Sequence, residues 1–121
     1  VKGGYIMLLQ SNNCRLSQND IVLILSQSVN SEELTNFSLN IIDPIKQYDK
    51  ENHSELYVTL ESFINNDGNF KRVAEDLFQH ENTIRYRIKK IKSILNMEDS
   101  NIKFIESTSI ALKFMGLLQS Q

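Results

Sequence analysis

The chain has 121 residues, of which 40% are hydrophobic and 23% charged, and its formal net charge is −2. This length allows one domain, or one small domain with an appendage, and the composition excludes a disordered tail and a membrane protein. The total charge alone argues against a nucleic-acid partner. However, residues 1–70 carry net −5, residues 71–92 net +4 and residues 93–121 net −1. The chain therefore contains one compact basic segment, which indicates a partner for that segment.

Residues 1–30 are interpreted as an appendage from an upstream region, with a structure that the sequence leaves open. The apolar run at residues 5–9 is either a short strand or a first helical turn, and it is too short for a signal peptide or a membrane span. Residues 21–29 fit either an amphipathic helix or a buried strand. Cys14 has no cysteine partner in the chain, which favours a cytoplasmic protein. Because the sequence begins at Val1, we expect it to be part of a longer chain.

Residues 31–121 are predicted to form a helical domain. Ser31, followed by two glutamates, is expected to cap a first helix. Asp43 and Pro44 are a second helix-start signal, because proline is tolerated at the first helical position. The polar residues 49–54 are predicted to form a loop.

Two further amphipathic helices flank the basic segment. The first is indicated by apolar residues at positions i, i+4, i+7 and i+8, with Gly68 as the left-handed residue that ends it. The last is predicted to begin at Ser107 or Thr108 and to carry an apolar stripe. The two stripes are Leu56, Leu60, Phe63 and Ile64, and Ile110, Phe114, Leu117 and Leu118. With short connections throughout, the fold class is all-α.

Residues 70–95 show the pattern of a helix-turn-helix. Asn69 can cap the first helix, and a second helix, residues 81–95, follows after about three residues. Helices joined so closely cross steeply, and a small side chain at the crossing lets their backbones approach. The residues that would form the core of this motif are Ala74, Leu77, Ile84, Ile88 and Ile91. The second helix of such a motif enters the DNA major groove by its N-terminal end.

The polar residues of this second helix form one flank. On a helical wheel with about 100° per residue and Ile84 at 0°, these residues lie between about 60° and 160° around the helix axis, and Tyr86 lies near 200°. Arginine pairs with guanine and asparagine with adenine, so base contacts are predicted for Asn82 and Arg85, and Glu81 either accepts from cytosine or only favours the helix dipole. Phosphate contacts are predicted for Lys71, Arg72, Thr83, Tyr86, Arg87, Lys89, Lys90 and Lys92.

Plainer interpretations of the same residues stay open. Basic residues along an exposed helix are usually solvated, and a short helical hairpin is common in all-α proteins. His80, at the expected N-cap, is interpreted as a capping or packing residue and not as a metal ligand. Tyr86 either contacts phosphate or packs half-buried.

The string from Ala74 to Ile88, AEDLFQHENTIRYRI, resembles the signature of the PucR/CdaR-type C-terminal helix-turn-helix domain, A-x-x-L-F-x-H-x-N-T-[LIV]-x-Y-R-[LI]. Segments DPIKQYD from Asp43, ELYVTL from Glu55 and SIAL from Ser109 are similar to other parts of that family. The resemblance covers about residues 31–118. Phe78 replaces the glycine that is usual in the turn of other helix-turn-helix proteins, although this family commonly has Phe there, and Gln79 replaces an apolar residue.

The resemblance implies a bacterial transcription regulator of catabolic genes, with a sensory region upstream and a Fis-like helix-turn-helix. The expected partner is duplex DNA, bound by a homodimer, with no membrane. An alternative is a protein-interaction or oligomerisation module that docks through residues 110–118. An enzyme is not expected, because the sequence has no glycine-rich phosphate loop and no metal-spaced His/Cys set. No cofactor and no metal are predicted.

Overall fold

The computed structural model describes residues 23, 24, 27 and 30–119. The described residues contain no strand, which confirms the all-α prediction. Leu23, Ile24 and Gln27 are helical, in agreement with the helical interpretation of residues 21–29. The prediction for residues 5–9 lies outside the described residues. Residues 30–119 form five helices, α1 (Ser31–Asn52), α2 (Leu56–Asn65), α3 (Phe70–Leu77), α4 (Glu81–Ile94) and α5 (Asn101–Gln119). In the described part of the chain, none of them is long and apolar enough to cross a membrane.

Helix α1 is one continuous helix that begins at Ser31, where a helix start is predicted, but Ser31 is not its cap and the second start signal at Asp43 and Pro44 is wrong. Its N-cap is Asn30, whose Oδ1 accepts from the Glu32 backbone N–H at 2.8 Å, so Ser31 is the first helical residue. Pro44 lies inside the helix. A proline there costs about 3 kcal/mol, but Ile42 and Ile45 on either side of it are buried in the core, and this packing keeps the helix intact.

The connection between α1 and α2 is shorter than the predicted loop of residues 49–54. Helix α1 continues to Asn52, and His53 then turns the chain in the left-handed conformation at φ 50°. Asp49, half-buried in the last turn of α1, bonds to the start of α2. Its carboxylate accepts from the Ser54 hydroxyl at 2.5 Å and from the backbone N–H groups of Leu56 and Tyr57 at 2.8 and 2.9 Å. The side chain of Glu55, at the N-cap position of α2, makes no capping bond. The carboxylate of Asp49 caps α2 in its place.

Replacing Asp49 by alanine is expected to lower the free energy of unfolding by about 1–3 kcal/mol, because three donors lose a charged acceptor. Glu51→Ala is the matched control on the same helix. Glu51 is exposed, and among the described residues its side chain accepts only from its helix neighbour Gln47, so its loss should change stability by less than about 0.5 kcal/mol. Urea unfolding followed by circular dichroism measures both variants. Equal stability of the two variants would contradict the capping role.

Helix α5 begins earlier than predicted. It starts at Asn101, and Ser100 Oγ accepts from the Lys103 backbone N–H at 3.2 Å. Thr108 is not a cap, because its side chain is fully buried within α5 and donates to the Phe104 carbonyl at 2.7 Å. A hydroxyl satisfied in this way is compatible with a helix interior, which is why the cap prediction at Ser107 or Thr108 is wrong.

The core joins all five helices. Leu34 near the start of α1 clusters with Phe114 near the end of α5, so the two long helices run antiparallel. The main cluster of buried side chains consists of Ile45, Leu56, Leu60, Phe63, Ile64, Val73, Ile84, Ile88, Ile91 and Phe104. Ala74 and Leu77 of α3 are partly buried and pack against this cluster. Helix α4 is thus fixed by one apolar edge, and its opposite face is turned to solvent.

Candidate nucleic-acid interface

Helices α3 and α4 are joined by residues 78–80, a turn of the predicted length. The N–H of Phe78 reaches the Glu75 carbonyl at 3.4 Å and the N–H of Gln79 reaches the Ala74 carbonyl at 3.0 Å. These two bonds, with Phe78 left-handed, form a Schellman motif. The turn is therefore tight although neither a glycine nor an apolar residue occupies the usual positions.

Phe78 is unfavourable in two respects. Its φ is 55°, a left-handed conformation that costs a bulky residue energy, and its side chain is 92% exposed. Phe78→Gly is therefore expected to stabilise the domain by about 1 kcal/mol, which raises the Tm by about 4–8 °C. Phe78→Ala is the matched control, because it removes the ring but keeps the Cβ that disfavours this φ. A thermal melt in which both variants show the same Tm would contradict the explanation by backbone strain.

The first turn of α3 lies next to α4 and carries two exposed cations. Asn69 caps this helix as predicted, with Oδ1 accepting from the Arg72 backbone N–H at 3.1 Å. Lys71 and Arg72 are both exposed there. Gly68 precedes the cap and has φ +72°, the left-handed conformation predicted for it. The chain thus turns sharply between α2 and α3, and two cations lie at the start of α3.

His80 occupies the N-cap position of α4 but makes no capping bond. Its side chain is exposed and accepts nothing from the helix, so neither interpretation of this residue, as a cap or as a packed residue, is correct. The imidazole is available to a partner at the N-terminal end of α4, and sequence reasoning left this residue out of the candidate site. No group of three or more His, Cys, Asp or Glu residues among those described could hold a metal ion.

The exposed face of α4 carries four polar side chains of different chemistry. Asn82, Arg85, Tyr86 and Lys89 are all exposed, and they share the face opposite Ile84 and its buried neighbours. Tyr86 is 66% exposed, which excludes the half-buried packing role. We call these four residues the front face of α4.

Arg85 is the most constrained residue of the front face. Its Nη2 lies 3.0 Å from Glu81 Oε2, one turn earlier in the helix. Its guanidinium carbon also lies over the ring of Phe70, 4.3 Å from the ring centroid. Phe70 is the first residue of α3, so this contact joins the two helices of the motif.

The other cations of α4 divide between its sides and its front. Arg87 Nη1 donates to Thr59 Oγ1 of α2 at 3.1 Å, and Lys90 lies over the ring of Tyr48 at 5.1 Å. On the opposite side, Lys92 donates to Asn101 at 2.8 Å and lies over a ring of α5. Half-buried Thr83 lines a groove beside α4 together with Tyr48, Tyr86, Arg87 and Lys90. The side chain of Lys89 makes no hydrogen bond, ion pair or ring contact with any of the described residues.

One tyrosine outside the front face has a perturbed ionisation. Burial raises the pKa of Tyr57 on α2, and the nearby Glu61 carboxylate raises it further. The Lys46 ammonium lies 4.6 Å from the centre of the same ring. The phenol of Tyr57 is therefore protonated at neutral pH and adds no charge to the domain.

The family of this domain follows from residues 56–114, which match the family model of the PucR C-terminal helix-turn-helix domain. This range contains α2, α3 and α4 and most of α5. The chain carries a PucR-type helix-turn-helix domain. The resemblance drawn from residues 74–88 is thereby confirmed.

Characterised relatives of this PucR-type domain are known in Bacillus subtilis (strain 168). The chain is 36% identical over 84 residues to the DNA-binding transcriptional activator AdeR, a match that covers 68% of this chain and 19% of AdeR. It is 39% identical over 59 residues to the proline-responsive transcriptional activator PutR, covering 49% of this chain and 14% of PutR. The chain thus spans about a fifth or less of the length of these relatives. No solved structure matches it.

Two polar residues outside the helix-turn-helix motif hold parts of the PucR-type domain in place by hydrogen bonds. Asp49 and Thr59 belong to the segments DPIKQYD and ELYVTL, which resemble the family and lie outside the helix-turn-helix motif. In the structure, Asp49 holds the start of α2, and Thr59 receives the hydrogen bond of Arg87. Neither bond has a local sequence signal, since the partners are 7 and 28 residues apart.

Proposed function

We propose that the domain binds duplex DNA in a sequence-specific manner, with α4 entering the major groove by its N-terminal end. The observation that carries the proposal is the front face of α4, where amide, guanidinium, phenol and ammonium groups are exposed together. The buried edge of the same helix is fixed against the core. An α-helix fits the major groove, and these side chains match the donor and acceptor pattern of base edges and phosphates.

The base contacts are assigned to the first turns of α4. Asn82 and Arg85 are exposed within two turns of the helix start, where a recognition helix reaches furthest into the groove. The side chain of Glu81 is held by Arg85, so it either accepts from cytosine beside Arg85 or orients that residue. His80, exposed directly before them, is added to this set.

The phosphate contacts are assigned to cations around the base-reading residues. Lys89 is fully available on the front face, whereas Arg87, Lys90 and Lys92 are held at the sides of α4, where the two strands of a duplex would pass. Thr83 and Tyr86 border the groove that contains Arg87. Lys71 and Arg72 would meet the backbone from the start of α3, as the first helix of such a motif crosses the phosphates.

The biological setting is proposed from the family and its relatives. Two relatives are transcriptional activators, one of them proline-responsive, so we assign this chain to a bacterial regulator of catabolic genes. Residues 31–121 would be its DNA-binding domain, residues 1–30 the end of an upstream region, and a sensory region would precede them. The protein would act in the cytoplasm as a homodimer on paired half-sites, since helix-turn-helix proteins bind such sites as dimers.

In-vitro selection from random duplex DNA tests the proposal. The domain should enrich one sequence motif, and its affinity for that motif should fall steeply as salt rises, because phosphate contacts release counterions. The net charge of −2 predicts modest affinity for unselected DNA. If several rounds enrich no motif at either of two salt concentrations, the proposal of specific recognition is wrong.

The dimer is tested separately with the selected motif. Sedimentation of the domain with a duplex that carries two inverted half-sites should give a complex of two copies, whereas a single half-site should bind one copy more weakly. Independent binding of the two copies, with no gain from the paired site, would contradict a dimeric regulator.

A further inference from the structure

The ring of Phe70 lies directly beneath the guanidinium of Arg85 and is itself firmly held. Phe70 is half-buried at the first position of α3. Its ring centroid lies 5.4 Å from that of Phe63 on α2, and Phe63 lies 6.3 Å from Phe104 on α5. Phe63 and Phe104 are both buried. The surface under Arg85 is therefore part of a chain of three rings that is anchored in the core.

Two contacts together fix the position of the guanidinium. Phe70 lies against it at 4.3 Å, and Glu81 Oε2 bonds to Nη2 at 3.0 Å. An arginine reads guanine with two parallel hydrogen bonds, which require a defined plane and direction. A free arginine side chain would lose its rotamer freedom on binding, whereas one that is already held against a ring loses less. Lys89, one turn later on the same face, has no such support among the described residues.

We propose that Phe70 is a positioning residue for base recognition: its ring holds the guanidinium of Arg85 in its base-reading orientation before DNA binds. Phe70 itself touches no base in this account and acts only through Arg85. It thereby sets the base preference at the one position that Arg85 reads. This inference rests on the proposed function, since it assumes that Arg85 contacts a base.

A purely structural role for Phe70 has different consequences. If the ring only fills space beside Phe63, its loss lowers the stability of the domain and leaves the base preference of the folded protein unchanged. If the ring positions Arg85, the base preference falls even where the domain is fully folded. Base preference at one position is therefore the measurement that separates the two roles.

The test compares Phe70→Leu with Phe70→Tyr on the selected duplex and on duplexes with one base pair changed. Arg85→Ala first identifies the base pair that Arg85 reads, as the one where preference is lost. At that pair, Phe70→Leu should reduce the preference about fivefold to tenfold, and Phe70→Tyr, which keeps an aromatic ring, should retain it. Adding Phe70→Leu to Arg85→Ala should reduce it no further, because the ring acts through the arginine. Glu51→Ala, an exposed change on α1 outside the candidate site, is the control and should leave both affinity and base preference unchanged.

A second measurement needs no variant. The side-chain NMR signals of Arg85 in the DNA-free domain should show the ring-current shift expected for a guanidinium above an aromatic face. Signals at random-coil positions would overturn the inference, as would a Phe70→Leu variant that keeps full base preference. If the domain binds specifically but Arg85→Ala changes no preference, the inference fails and the proposed function stands. If the unaltered domain shows no specific binding, the proposed function itself fails.

Discussion

Asn82→Ala is expected to weaken binding to the selected duplex about tenfold to a hundredfold and to leave binding to random duplex nearly unchanged. Asn82 is exposed in the first turn of α4, where an amide can make two hydrogen bonds to one adenine. A pair of such bonds is worth about 1–3 kcal/mol of discrimination between bases. Equilibrium titrations of both duplexes at one salt concentration, with fluorescence anisotropy as readout, measure the difference.

Lys89→Ala is the matched control on the same face of α4. An ammonium that meets phosphate carries no sequence information, so its loss should weaken binding to both duplexes alike. The slope of log affinity against log salt should become shallower by about one. If Asn82→Ala instead weakens both duplexes equally, or if Lys89→Ala changes base preference, the division between base and phosphate contacts is wrong.

Ile84→Ala is expected to lower the free energy of unfolding by about 2–5 kcal/mol, a large share of the about 5–15 kcal/mol that is typical of a small domain. Ile84 has no exposed surface and lies in the main cluster, where it faces the buried residues of α2 and α3. Removing three carbons there leaves a cavity that rigid neighbouring helices cannot fill. Urea unfolding followed by circular dichroism measures the loss.

Ile102→Ala provides the comparison for this core variant. Ile102 lies in the first turn of α5 and is 70% exposed, so its truncation should change stability by less than about 0.5 kcal/mol. Ile84→Ala should also lose DNA binding in proportion to its unfolded fraction, and Ile102→Ala should not. Similar unfolding curves for the two variants would contradict the assignment of Ile84 to the core.

The helix-turn-helix was predictable because its signals are local. The apolar period of α4, the cap Asn69 and the short link all lie within a few residues of the element they define, and periodicity reports them directly. The exposed polar face of α4 follows from the same period. Periodicity alone could not distinguish this helix-turn-helix from an ordinary helical hairpin. The family signature in residues 74–88 made that distinction.

Helix boundaries were harder to predict because packing overrides local signals. Pro44 is a good start signal, but the isoleucines around it are buried against α5, and this burial keeps α1 continuous. Thr108 is a good cap residue, but its hydroxyl is satisfied by the carbonyl of Phe104 inside α5. At both positions, packing of the helix against the core determines whether the helix continues. Residues that are close in the sequence give no information about this packing.

The contacts that hold the arginines of the candidate site in place were not predictable from the sequence either. Arg85 meets the ring of Phe70, 15 residues earlier in the sequence, and Arg87 meets Thr59, 28 residues earlier. The sequence predicts a base contact for Arg85, from its place on the helix and its pairing with guanine, and a phosphate contact for Arg87. Only the fold shows that one is held at the front of α4 and the other at its side.

The central claim is that the front face of α4 reads DNA sequence, and one measurement tests it most directly. The affinity of the domain for its selected duplex is compared with its affinity for a scrambled duplex of the same composition, at the same salt concentration. The account predicts a ratio of at least about a hundred, which falls toward one when Asn82 and Arg85 are both replaced by alanine. A ratio near one for the unaltered domain would contradict it.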